Sequence, residues 1–360
     1  MEDNSTSPGP SDFDRLLSAL KSRGSLALWL ECIIWIIIEI FILVGNTITL
    51  KIIICNATLR TIPNFLIASL AISDIGLGVF SGPLCLGAIM FSKWPFNNTL
   101  CQFQGMAALT FACASVENLA LMAVNRYFRV VRTTKYNKYF KKRKTLCYIC
   151  IVWVSSLIAS VSYILSGREY VFHPGKIFCY LHIDDYVFLL LTVTFYIALP
   201  AILITFCYYK VYKTIQKHNR SMSNWGSSSQ NLSVQEINIT RTLSLIVVVF
   251  TTCWLPVFVM DFIDIIKLRW SLPREAYVVY TFLVASNSSI NPVLYGIMNP
   301  VFRKEYLKTL TCGLRWTRKR NVSPEMPGNK GTNTAIKSIQ VKDITRTEQM
   351  LFTNGQSIKV

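Results

Sequence analysis

Seven stretches of this chain, at 27–54, 63–90, 101–127, 145–165, 186–210, 239–266 and 275–297, are each apolar and long enough to cross a bilayer. A helix needs roughly 20 such residues to span the hydrocarbon core, where its backbone must bond to itself. A water-soluble fold would have to hide all seven runs at once. The composition points the same way: 52% of residues are hydrophobic, and the 16% that are charged cluster between the runs. The expected fold is all-α, a seven-transmembrane helix bundle.

Lysine and arginine set the orientation. Lys51, Arg60, the residues from Arg126 to Lys144, those from Lys210 to Arg241 and all from Arg303 onward make 28 of 37, and they share one side if the N-terminus lies outside. Much of the +18 net charge then faces an anionic inner leaflet, so no nucleic-acid partner is needed to explain it. Residues 1–26 read as an extracellular tail without the basic start of a signal peptide. Residues 27–297 read as the bundle, 299–312 as an amphipathic helix on the inner leaflet, and 313–360 as a disordered cytoplasmic tail. In the amphipathic stretch Phe302, Tyr306 and Leu310 recur at helical spacing among Arg303, Lys304 and Lys308. Asn4 and Asn97 begin glycosylation sequons on the outer side.

Of eleven cysteines most fall inside spans, where the residue packs as a small apolar group. Cys101 and Cys179 fall on the outer side, where a disulfide is chemically permitted and would pin a long loop over the bundle. Cys312, behind the basic helix, is a palmitoylation candidate. The spans show no internal repeat of the transporter kind. The three histidines, His173, His182 and His218, lie in loops or at loop edges, so no intramembrane nucleophile–base pair is visible and no enzyme is expected.

The motifs "GN" (45–46), "LAISD" (70–74), "NRY" (125–127), Trp153, Pro200, "CWLP" (253–256) and "NPVLY" (291–295) now stand in order along the spans. Together with the outer cysteine pair they resemble the rhodopsin-like (class A) G-protein-coupled receptors over residues 30–310. The stretch "NRYFRVVRTTKYNKYFKKRKTLCY" (125–148) is similar to melatonin-receptor-like sequences. The resemblance implies a multi-pass plasma-membrane receptor. It would bind an extracellular ligand and activate a heterotrimeric G protein, by this likeness one of the inhibitory class. Arrestin and receptor kinases would be further partners. A peptide ligand on the same fold is the alternative, ahead of a transporter or channel.

It also implies roles for residues. Asp74, Ser115, Asn287 and Asn291 form an oxygen-rich set suited to an allosteric sodium ion; no other cofactor is expected. Arg126, flanked by Asn125 and Tyr127, pairs with Glu236 in the resting state and is released towards the G protein. Phe250, Trp254 and Pro256 form a hinge in span six, where proline removes a helix hydrogen bond. Tyr208, Tyr295, Asn291 and Pro292 support the open state. Ala108, Phe111, Tyr196, Trp254, Phe258, Asp261, Tyr277 and Thr281 line the ligand pocket, together with Thr110. Glu117 is expected to bond a neighbouring helix; Glu39 has no assigned role. Ala285 cannot form a retinal Schiff base, and Ala108 cannot pair with an amine as an aspartate would. Asp261 stands where the melatonin-type pocket is neutral, and Tyr196 where it has histidine.

Overall fold

The computed structural model describes residues 11–224, 234–298 and 301–309, without the side chains of 218–244, 246–247 and 298. They form a helix bundle with one small hairpin. The spans are Ser25–Cys55, Ile62–Phe91, Asn98–Val130, Lys142–Leu165, 186–224, Val234–Lys267 and Arg274–Met298.

Among the described residues, six helices are apolar enough to cross a membrane by length and composition. The seventh, Arg274–Met298, has 25 residues, which at about 1.5 Å per residue is also sufficient length. Its apolarity is diluted by Ser286, Asn287, Ser288, Ser289 and Asn291. All of these but Ser286 are buried, so the polarity faces the bundle.

The second and third spans form the centre, with 61% of their most apolar windows buried, against 17% and 22% for the first and fourth. Large apolar side chains point outward all round: Leu26, Ile151, Ile202, Ile266 and Ile297 are each more than 60% exposed. A soluble protein would not tolerate such a continuous belt; lipid requires it. The ladder re-registers through π turns at Phe41–Gly45 and at Val193–Ala198, the latter just ahead of Pro200, which has no amide hydrogen to donate.

Between spans four and five, β1 (Val171–His173) and β2 (Phe178–Tyr180) pair antiparallel. Cys179 in β2 is bonded to Cys101 at the start of span three, with Cα atoms 5.5 Å apart. The hairpin is thereby held at one end of the bundle, called here the hairpin end.

Within residues 1–26, expected to be a tail, Asp12–Ser22 form a helix, α1. The Ser11 hydroxyl caps it by accepting from the Asp14 amide at 3.1 Å, and Asp12 and Asp14 favour its N-terminal dipole. Leu16 and Leu20 are fully buried, Leu16 against Trp270 and Tyr277. Arg15 donates to the carbonyls of Leu272 at 3.2 Å and Trp270 at 2.5 Å. At the opposite end residues 301–309 are helical, with Phe302 buried beneath Tyr295. Tyr306 meets Thr49 and the Gly45 carbonyl of span one. Asn4, Leu310, Cys312 and the tail lie outside the described residues.

Candidate functional site: a cavity under the hairpin

A cavity with about 90 Å³ open to water centres lies between spans one, two, three, five, six and seven, roofed by β2. Water needs roughly 10–15 Å³ on that measure, so the space takes several waters or a small ligand's rings. On span three the cavity meets Ala108, Leu109, Ala112, Cys113 and Val116, spaced so that one helical face looks inward. Tyr196, Trp254 and Thr281 line it as expected, and so do Phe178, Tyr180, Tyr280 and Ala285.

Other expected pocket residues are near it but do not line it. Phe111 turns away to stack on Phe80 at 5.7 Å and to meet Trp153 edge-on at 6.0 Å. A Cβ at Gly76 would lie 2.3 Å from its ring, so Phe111 needs that glycine. Phe258 stacks on Phe262. Thr110 hydrogen-bonds Ser160 at 2.5 Å. Tyr277 donates to both oxygens of Asp264 at 2.7 and 2.8 Å.

Asp261 is fully buried, and Lys176 from the hairpin tip donates to it at 2.7 Å. The hydroxyls of Tyr280 and Tyr180 also donate to it, at 3.0 and 3.3 Å. Lys176 is absent from the sequence-based pocket because a lysine in a long loop reads as solvated. His173 beside it is fully buried between Trp270 and Tyr277. Its Nδ1 accepts from the amides of Gly175 and Lys176, so it is the neutral imidazole. Burial first, and the Lys176 charge second, hold its pKa well below the usual 6.5. A second buried ion pair joins Arg274 to both oxygens of Glu31 at 2.6 Å, with Arg23 3.5 Å away.

Glu39 lines the cavity, seated where Cβ atoms on Gly78 or Gly82 would lie 2.8 and 2.4 Å from its carboxyl. Glu117 accepts from the Ser155 hydroxyl of span four at 2.9 Å, the neighbouring-helix bond expected of it. Tyr196 donates to the Ser155 carbonyl at 3.1 Å.

Deeper, Asp74 is fully buried and accepts from Ser115 at 3.2 Å and Asn291 at 2.9 Å. Asn287 and Ser288 are buried alongside on span seven. The Asn46 amide donates to the carbonyls of Ile42 and Ser288, while its oxygen has no hydrogen-bond partner among the described residues. No ion pair to Asp74 exists among the described residues. A carboxylate, hydroxyls and an unsatisfied amide oxygen make a donor set that fits a hard cation such as sodium.

Trp254 faces the cavity, and Phe250 lies one turn further along at a ring distance of 6.0 Å, in one apolar cluster with Val116, Tyr208 and Tyr295. The Trp254 indole nitrogen and the Tyr295 hydroxyl have no hydrogen-bond partner among the described residues. At the end away from the hairpin, Arg126 is buried, 3% exposed. Asn125 donates to Tyr136 of the short loop helix Thr133–Tyr139 at 3.4 Å. Tyr127 accepts from Arg132 at 3.3 Å. Glu236 lies on the sixth span, but its side chain is outside the described residues. Asn97 is exposed and caps span three through its side-chain oxygen.

The family model "7 transmembrane receptor (rhodopsin family)" matches residues 45–295, well over half of the chain. The chain belongs to the rhodopsin family of seven-transmembrane receptors. Its curated relatives include melatonin receptor type 1C of Gallus gallus, 27% identical over 326 residues, covering 88% of this chain and 91% of that one. Melatonin receptor type 1A of Mus musculus is 26% identical over 272 residues, covering 74% and 76%. This receptor is therefore a multi-pass plasma-membrane signalling protein that couples an extracellular ligand to a G protein, and not an enzyme.

Proposed function

We propose that a small ligand binds in the cavity beneath the hairpin and shifts the bundle between two packings. One keeps Arg126 enclosed; the other moves the far end of span six outward and presents Arg126 to an inhibitory-class G protein. The observation that carries this is the placement of Trp254. It touches the cavity, stacks towards Phe250, and stands two residues before Pro256, which leaves a carbonyl of span six without its helical donor. A ligand can act on such an equilibrium only through different contacts in the two packings. In this reading the hairpin end faces outside, Glu236 pairs with Arg126 at rest, and the Asp74 set holds a sodium ion that favours the resting packing.

The relatives' name makes melatonin one compound to test. Asp261 and its lysine partner do not line the cavity; they are buried against Tyr180 and Tyr280, which do, and this buried ion pair beside the cavity favours a ligand other than a neutral indole. The test is nucleotide exchange on a purified inhibitory G protein with the receptor in lipid discs, run with and without Arg126→Ala. Exchange that depends on the receptor and vanishes in the variant supports the reading. Exchange that survives at wild-type rate in the variant refutes it.

A further inference from the structure

Lys176 belongs to the turn of the hairpin, yet its charged end is inside the bundle, with 2% of the side chain exposed. The tip is delivered there by fixed bonds. Thr281 of span seven donates to the Lys176 carbonyl at 2.6 Å, and Ile177 donates to the His173 carbonyl at 2.8 Å. Gly175 lies so close to Tyr277 that a Cβ would come within 2.6 Å of the ring. The disulfide follows three residues on.

The ammonium meets what a cation-recognition site contains. Asp261 lies 2.7 Å away, and the ring centres of Tyr180 and Tyr280 are at 3.7 and 4.1 Å. Aromatic faces around a desolvated cation, backed by a carboxylate, select for that charge. Both rings also line the cavity, whereas Lys176 and Asp261 do not, so the cage and the ligand space share a wall of two tyrosines.

We propose that this cage is a binding site for the ammonium group of a primary-amine ligand, and that the chain's own Lys176 fills it until the ligand takes its place. This rests on the ligand-cavity reading above and names the chemical class of the ligand. The exchange is physically reasonable because one ammonium replaces another. Asp261 is never left buried and alone, the costly state. Lys176, on a flexible four-carbon stem, returns to water. The site differs from an aspartate on span three, where this chain has Ala108.

The probe is n-butylamine, the lysine side chain cut free, with n-butanol as its neutral control. Thermal midpoints of the full-length receptor in lipid discs are read for wild type, Lys176→Ala and Lys176→Ala/Asp261→Asn. Lys176→Ala is expected to melt below wild type and to be restored by butylamine in a saturable way, but not by butanol. Wild type should need about tenfold more butylamine or beyond, since the tethered lysine competes at high effective concentration. The double variant should not respond. If Lys176→Ala does not fold, Lys176→Met, which keeps the apolar stem, takes its place with the same readout.

Equal effects of amine and alcohol overturn the proposal, as does an amine response that survives Asp261→Asn. These midpoints involve no G protein, so they are separable from the exchange assay. Amine binding without exchange under any ligand would refute the signalling reading alone. Exchange driven by a neutral ligand, with no specific amine effect on the midpoints, would refute the cage alone.

Discussion

Two aspartates lie within the bundle with no measurable exposure, Asp74 in the second span and Asp261 in the sixth, and their surroundings differ in kind. Asp261 is answered by a full charge from Lys176 and by two phenol hydroxyls. Asp74 is answered by neutral donors, the hydroxyls of Ser115 and Ser288 and the amide of Asn291, and the Asn46 oxygen has no partner among the described residues. A carboxylate paired with a lysine of its own chain makes a closed contact between elements, which another cation can enter only by exchange. One that has only dipoles around it is open to a cation from solution. The hairpin end is accordingly stapled by directional bonds, and the middle of the bundle is left adjustable.

The largest effect should come from breaking the closed site. Lys176→Met leaves Asp261 buried and unpaired, a loss of about 3–5 kcal/mol, whereas Lys176→Met/Asp261→Leu should recover at least half of it. Thermal or denaturant unfolding reads both, and a double variant no better than the single would mean the pair is not one unit. At the open site, sodium chloride in place of choline chloride should stabilise wild type. The gain is about 1.4 kcal/mol at tenfold the dissociation constant. Asp74→Asn should abolish that response while Asp261→Asn keeps it; a response indifferent to Asp74 would remove the contrast.

Acid should act on the hairpin end. His173 has a lowered pKa in the folded protein, so below pH 6.5 the unfolded chain binds the extra proton and stability falls as pH falls. The slope is up to about 1.4 kcal/mol per pH unit until the folded pKa is reached. His173→Gln should flatten this limb, and an unchanged acid profile would count against it. The smallest difference compares single donors. Tyr280→Phe keeps the ring but removes a hydroxyl from Asp261, costing about 1 kcal/mol, and Ser115→Ala at Asp74 should cost less because water can substitute there. The reverse order would show Asp74 to be the tighter site.

The spans were legible because lipid imposes a length and an apolarity that soluble context cannot override. Even the polar seventh span fell within a residue of its expected ends. The contacts of Asp74 with Ser115 and Asn291 were legible because intramembrane polar residues have few places to go. What stayed hidden depends on direction. Phe111 is one residue from Ala112, and that step of about 100° carries its ring from the cavity to the Phe80–Trp153 contact. The spacing 108–112–116 already marked the inward face. Lys176 could not be foreseen, since its inward aim follows from a disulfide, a glycine contact and a threonine on another span. Helix α1 was readable in principle: Ser11 and Asp14 stand at capping distance ahead of Leu16 and Leu20, but the polar flanks of that stretch masked the pattern.

Helix α1 also has a mechanical consequence. Through Arg15 it grips the two carbonyls that join span six to span seven, and Arg269 grips Asp12 in return. A load applied to α1 is therefore passed to the connection at Arg269, Trp270 and Leu272, between spans six and seven. Pulling or crowding at α1 acts on the link between spans six and seven.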